Sequence, residues 1–195
     1  MKVKIFDHME ECTEEEVLRL LPLVSEQRRE QALRYKHTFG RYCCLKSWLM
    51  LYDLIGEGLP VTGYGEWSYN EHGKPYIKGG PYFSISHCKE GIAVAVNDQP
   101  IGIDIEAIRH AEQDLIERTM NADERLAISD ERDRDRVFTR LWTQKEAVVK
   151  MLGTGIESFE QLQHILSGSR DHETPWPHKI ETIEKENYIY SIAYE

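Results

Sequence analysis

Cysteine is scarce in this chain of 195 residues, with only Cys12, Cys43, Cys44 and Cys88. They form no C-x-x-C pair and no Cys/His spacing suited to zinc, which argues against a thiolate metal centre. The adjacent Cys43 and Cys44 fall in a helix-like stretch and read as packing residues. No apolar run approaches the length that spans a bilayer, and the opening "MKVKIFDHMEEC" lacks the long apolar core of a signal peptide. The expected location is the cytoplasm, with no membrane partner. Basic residues are outnumbered, 24 against 34 acidic ones, for a net charge of −10. A nucleic-acid surface needs a basic footprint, so no nucleic-acid partner is expected. A local basic site for a phosphate ligand remains compatible with that balance. Sequence repeats and low-complexity linkers are absent.

What is present suits a folded protein: 41% of residues are hydrophobic and 10% aromatic. The length allows one domain, or two small lobes sharing a core. "MKVKIF" alternates like a strand, with Val3 and Ile5 on one face. Thr13 to Glu16 fits a capping box, and Pro22 limits the helix that follows. Residues 25–55 read as helical with a break near Gly40. "WSYNEHGKPYI" reads as a hairpin turning at His72-Gly73, with Trp67 at its start. "YFSIS" and "IAVAV" are strands, the second central because it is apolar on both faces. After the turn "NDQP" comes the strand "IGIDIE", then charged helices over 111–130 and a stronger helix over 134–152. A loop is expected at 167–177 and two late strands at 177–183 and 187–194. Strands and helices mix without regular alternation, which predicts an α+β fold.

"IGIDIE" puts Gly102, Asp104 and Glu106 on one strand face. Two neighbouring carboxylates repel, and are eased by sharing a proton or a cation. A hard divalent ion such as Mg²⁺ accepts such oxygens and keeps waters and substrate phosphates as further ligands. An edge strand with a solvated acidic face is the plainer reading. Gly102 allows close approach of a ligand or of another backbone.

The helix over 134–152 carries an apolar stripe of Phe138, Leu141, Trp142, Val148, Val149 and Leu152, with Lys145 inside it. A lysine there must snorkel, pair with an acid or face a bound anion. Thr139, Thr143, Glu146 and Lys150 form a polar row along the flank of the stripe, where an exposed Glu146-Lys150 pair is the bland account. In "GKPYIKGGPYFSISHC", Ser84 and Ser86 share a face while His87 lies opposite, so Ser86 and His87 make a poor catalytic dyad. With Lys74 they make a better anion-contacting set. Residues 26–46 carry six basic residues, Arg28, Arg29, Arg34, Lys36, Arg41 and Lys46, against two acidic ones. Such an island suits a polyphosphate ligand, or is a solvated helix face.

Together "GKPY…FSISH" (73–87), "GIDIE" (102–106) and "WTQKEAVVK" (142–150) resemble, in order and interval, the motifs of the 4'-phosphopantetheinyl transferases of the surfactin-synthetase-activating type. The resemblance implies two pseudo-symmetric lobes, each a small mainly antiparallel sheet packed with a long helix. The N-terminal lobe would span 1–98 and the C-terminal lobe 99–195, in a monomer. It implies transfer of phosphopantetheine from coenzyme A to a serine of an apo acyl or peptidyl carrier protein, releasing adenosine 3',5'-bisphosphate. Asp104, Glu106 and Glu146 would hold Mg²⁺, and Glu146, Lys150 and Asp104 would carry the catalysis. Lys74, Ser86, His87, Arg41, Lys36 and Lys145 would contact the coenzyme, and Glu124 stands where the family often has a further acid. Ser84 departs from the family's usual asparagine. A non-catalytic coenzyme A or nucleotide-binding protein of the same architecture is the alternative.

Overall fold

The computed structural model describes residues 1–56, 68–130, 132–156, 158–166 and 179–195. Its first half runs β1 (Lys2–Phe6), α1 (Glu14–Leu20), α2 (Glu26–Leu33), α3 (Thr38–Ile55), β2 (Ser68–Tyr69), β3 (Pro75–Tyr76), β4 (Tyr82–Cys88) and β5 (Gly91–Asn97). The second half runs β6 (Ile101–Ala107), α4 (Gln113–Thr119), α5 (Ala122–Asp130), α6 (Arg134–Leu152), α7 (Phe159–His164), β7 (Lys179–Glu184) and β8 (Tyr188–Tyr194). Trp67 and the loop expected at 167–177 lie outside the described residues.

Local chemistry sets most of these boundaries. Thr13 caps α1 by accepting the Glu16 N–H, one half of the expected capping box, while the Glu16 carboxylate accepts from Arg19 instead of reaching back to the Thr13 N–H; a short 3₁₀ turn at Leu21–Leu23 carries Pro22. Ser25 caps α2 in the same way through Arg28 N–H, and Asp133 caps α6 through Arg136 N–H. The helix break is not at Gly40, which lies inside α3, but at 34–37. There the Tyr35 ring folds back onto Gly40, where a Cβ would stand 2.7 Å from Tyr35 Cδ1. Glycine at 40 therefore permits the turn rather than breaking the helix.

The two halves repeat one topology. In the first sheet the order is β1-β5-β4, and in the second β6-β8-β7, all antiparallel. Each half is thus a first strand, a helical excursion that includes a long helix and then, past the hairpin in the first half and α7 in the second, a final pair of strands with the last at the sheet centre. This is the expected α+β arrangement of two small sheets packed with helices. "IAVAV" is central, as its apolar faces require.

The halves meet where β6 lies alongside β4 and β5. Ile101, Ile103 and Ile105 are fully buried against Ala93 and Ala95 of β5 and Tyr188 and Ile192 of β8, with Val3 and Ile5 of β1 behind them. The opposite face of β6 packs under α6. A Cβ on Gly102 would stand 1.9 Å from the Ala147 carbonyl oxygen and 2.4 Å from the Met151 nitrogen. Gly102 is explained by helix backbone, not by a ligand. Because α6 covers that face, Asp104 and Glu106 are not the solvated acids of a bare edge strand.

Candidate active site

The stripe on α6 is largely as expected: Phe138, Val148 and Val149 are buried, while Leu152 at the helix end is exposed. The neighbouring polar row does not share one environment. Thr139 and Thr143 are buried, and the Thr143 hydroxyl meets Ser191 Oγ of β8 at 2.8 Å. Only the last two members of the row, Glu146 and Lys150, reach a cleft.

That cleft, about 390 Å³, lies between the halves. Strand β6 supplies Asp104 and Glu106, α6 supplies Trp142, Glu146 and Lys150, and β4 supplies Ser86 and His87. The far wall comes from Arg28, Gln31 and Tyr35, with Cys44 and Ser47 of α3 and Tyr69 and Pro75 of the hairpin. Three motifs separated in sequence therefore meet at one place.

The electrostatics centre on Asp104, which is 2% exposed. Its Oδ1 accepts from Lys150 Nζ at 2.6 Å and from Ser86 Oγ at 2.7 Å, and Lys150 also donates to Ser86 Oγ at 2.9 Å. Lys150 therefore reaches across to β6 and β4, which replaces the bland account of an exposed pair with Glu146. Asp104 Oδ2 is buried and has no hydrogen-bond partner among the described residues. Burial, then the charge of Asp104, pushes the Glu106 carboxyl up to about 7, and the same causes raise Glu146. Among the cleft-lining residues the carboxylates Asp104, Glu106 and Glu146 outnumber the cations Arg28 and Lys150. Such a set takes up protons or a cation.

His87 packs edge-on against Phe39, with ring centroids 5.7 Å apart. One side stays open to solvent, yet the cleft wall desolvates the imidazole enough to lower its pKa, and Lys150 adds to the effect. Arg28 is 2% exposed: its guanidinium lies 4.4 Å from the Trp48 ring centroid and donates to Gln31 Oε1 at 2.7 Å. Gln31 in turn donates to Tyr69 OH at 2.8 Å, tying α2 to the hairpin. Motif matching missed this wall. Its signal was helical spacing, since Arg28 stands four residues before the fully buried Ala32, on the inward face of α2.

Other expected coenzyme contacts lie elsewhere. Lys145 is completely buried and donates to Glu124 Oε2 at 2.8 Å and to the Leu162 carbonyl at 2.6 Å. Of its three options it takes the ion pair, and Glu124, its partner, is thereby engaged away from the cleft. Neither lines it, because α6 turns Lys145 toward α5 and α7 while Glu146 faces β6. Arg41 donates to the Tyr35 carbonyl and pairs with Glu14, and Lys36 is exposed; neither lines the cleft. The basic island is therefore dispersed, with only Arg28 of its six cations in the cleft wall. Lys74 lines a smaller adjoining pocket that shares Glu146 and Lys150 with the cleft. Ser84, at the family's asparagine position, accepts the Ile103 N–H at 3.0 Å across the junction of the halves.

Fold and site together define an α+β protein of two small sheets packed with helices, whose shared cleft sets carboxylates beside cations. Residues 100–193 match the model of the 4'-phosphopantetheinyl transferase superfamily. The chain is also 28% identical over 136 residues to the 4'-phosphopantetheinyl transferase gsp of Aneurinibacillus migulanus, covering 68% of this chain and 57% of that one. Identity to psf-1 of Bacillus pumilus is 31% over 147 residues, covering 72% and 63% of the two chains. For Sfp of Bacillus subtilis (strain 168) it is 28% over 149 residues, covering 74% and 66%. The matched stretch thus spans less than two thirds of each of these relatives. The resemblance to the 4'-phosphopantetheinyl transferase family, read from the motifs, is borne out.

Proposed function

We propose that this chain transfers 4'-phosphopantetheine from coenzyme A to a serine hydroxyl of an acyl or peptidyl carrier protein, with Mg²⁺, releasing adenosine 3',5'-bisphosphate. The observation that carries the reading is the convergence of Asp104, Glu106, Glu146 and Lys150 on one cleft between the lobes. The lobes are taken as 1–98 and 99–195, divided in the turn between β5 and β6. Both walls of the cleft come from a single chain, which suits a monomer. The four cysteines are all free, which suits a reducing compartment such as the cytoplasm. Among the described residues no helix is long and apolar enough to cross a membrane.

The donor set fits a hard divalent cation in kind: carboxylate oxygens, one of them buried and without a partner among the described residues. Among the described residues no trio of His, Cys, Asp or Glu already stands in chelating geometry, and Lys150 holds the Oδ1 side of Asp104. Asp104, Glu106 and Glu146 are the residues that would hold Mg²⁺, and the ion supplies charge neutralisation on the coenzyme's pyrophosphate.

The chain's own groups do the rest. Glu146, its pKa raised by burial and by Asp104, is poised to accept the carrier serine proton. The serine oxygen then bonds to the pantetheine-side phosphorus as the bond to the departing bisphosphate oxygen breaks. Lys150 donates to a phosphate oxygen as charge moves onto the leaving group. Ser86, His87 and Arg28 contact the coenzyme's phosphates and adenine from the facing wall.

The test is a panel of apo acyl and peptidyl carriers incubated with coenzyme A and Mg²⁺, read by intact mass. Phosphopantetheine added at the carrier serine is expected. Coenzyme A binding by calorimetry without modification of any carrier would identify a non-catalytic binding protein instead.

A further inference from the structure

We infer that Lys74, the lysine of the G-K-P segment, is a positioning residue that holds β6 and α6 together from the N-terminal lobe, not a contact to the coenzyme. This rests on the transfer reading above for its kinetic consequence, though not for its geometry.

The hairpin explains how Lys74 is placed. Asn70 Oδ1 accepts the His72 N–H at 3.0 Å and the Lys74 N–H at 2.7 Å, which fixes the turn from within. The other end of the same amide donates from Nδ2 to the Gly153 carbonyl at 2.9 Å, docking the hairpin on the C-cap of α6. The Lys74 stem runs over Gly153, where a Cβ would lie 3.0 Å from Lys74 Cδ. Its ammonium then donates to the Met151 carbonyl at 3.1 Å and to the Ile101 carbonyl at 3.4 Å.

Those two carbonyls belong to the two elements that carry the chemistry. Met151 follows Lys150 at the end of α6, and Ile101 opens the strand that bears Asp104 and Glu106. A cation at the C-terminal end of a helix is favourable in itself, because the last carbonyls lack intrahelical partners. Burial lowers the Lys74 pKa, as expected of an ammonium committed to protein carbonyls instead of solvent. The junction continues along β4, where Ser84 Oγ accepts the Ile103 N–H and Ser86 Oγ donates to Asp104. Lys74, Ser84 and Ser86 thus bond to β6 at residues 101, 103 and 104. Side chains therefore set the register of the lobes here.

A phosphate contact and a positioning strut make opposite kinetic predictions. Removing a contact made equally to substrate and transition state raises KM, whereas misplacing catalytic groups lowers kcat. Lys74→Met keeps the stem and removes the charge. Its kcat is expected to fall about tenfold with KM for coenzyme A within about twofold. Hydrogen exchange at residues 101–103 and 151–153, measured on the whole chain, is expected to speed up several-fold. A raised KM with unchanged kcat and unchanged exchange overturns the inference, as does faster exchange with unchanged kinetics. If Lys74→Met does not fold, Asn70→Ala removes the docking bond to Gly153 together with the two turn bonds that place Lys74, and unchanged exchange at 151–153 then overturns it. If the wild-type chain modifies no carrier, the transfer reading fails, and the exchange comparison still decides whether Lys74 ties β6 to α6.

Discussion

At the scale of single residues, Asp104 and Gly102 share one strand face and have unrelated jobs. Asp104→Asn keeps an oxygen for Ser86 but removes the charge that holds Lys150 and would hold a cation. Lys150 can rehydrate, since its side chain is 30% exposed. Transfer is expected to fall about a hundredfold or more, as when a charge-stabilising donor or ligand is removed, with the thermal midpoint little changed. Glu146→Gln should match it in rate. Carrier-modification kinetics check both. Gly102→Ala acts on the fold instead, because its Cβ would meet helix backbone that no rotamer change can clear. A loss of about 3 kcal/mol or more is expected in urea denaturation.

His87 gives a prediction with a sign. Its pKa is lowered in the fold, so between that value and the ordinary 6.5 the unfolded chain binds more protons. Stability should therefore rise with pH across that window and be flat above 6.5 so far as His87 is concerned. A phosphate beside the ring favours the charged form, so coenzyme A should move the pKa upward. NMR titration of the imidazole, with and without coenzyme A, checks both directions. An upward shift absent on saturation would remove His87 from the coenzyme contacts.

At the scale of elements, α6 sends two adjacent residues to different neighbours. Glu146 faces β6, and Lys145 faces α5 through Glu124. Lys145→Met strands the Glu124 carboxylate in the interior and is expected to cost about 3–5 kcal/mol. The double variant with Glu124→Leu should recover much of that loss, because apolar groups replace both partners. KM for coenzyme A should stay within about twofold in folded Lys145→Met, since the pair lies off the cleft. Urea midpoints and initial rates read these separately.

These elements also show what could be read in advance. The span of α6, the central place of "IAVAV" and the presence of β6 follow from periodicity and apolarity, which are local properties. The motifs located Asp104, Glu146 and Lys150 because their intervals survive in the sequence. Periodicity could place Lys145 in the stripe but could not name its partner, which is 21 residues away on another helix. Likewise the basic island looked convergent along the chain, while helical turns send Arg41 to Glu14 and Arg28 to Trp48. Long-range pairing is set by tertiary packing, and no window of sequence contains it. The seam hydroxyls of Ser84 and Ser86 were visible as residues but not as fasteners.

At the scale of the whole molecule, the cleft is built from both lobes, so a ligand that fills it must stabilise both. Coenzyme A with Mg²⁺ at a hundred times its Kd should add about 2.7 kcal/mol to unfolding, provided the chain unfolds as one unit. The shared core of β1, β5, β6 and β8 argues that it does. Amide exchange in the centres of the two sheets, β5 and β8, should then slow by the same factor. Chelating the metal should shrink the gain, because Asp104, Glu106 and Glu146 would face the pyrophosphate with Lys150 as their nearest counter-charge. Protection confined to one sheet would mean that coenzyme A sits on a single lobe, and the cleft between them would lose its claim to be the active site.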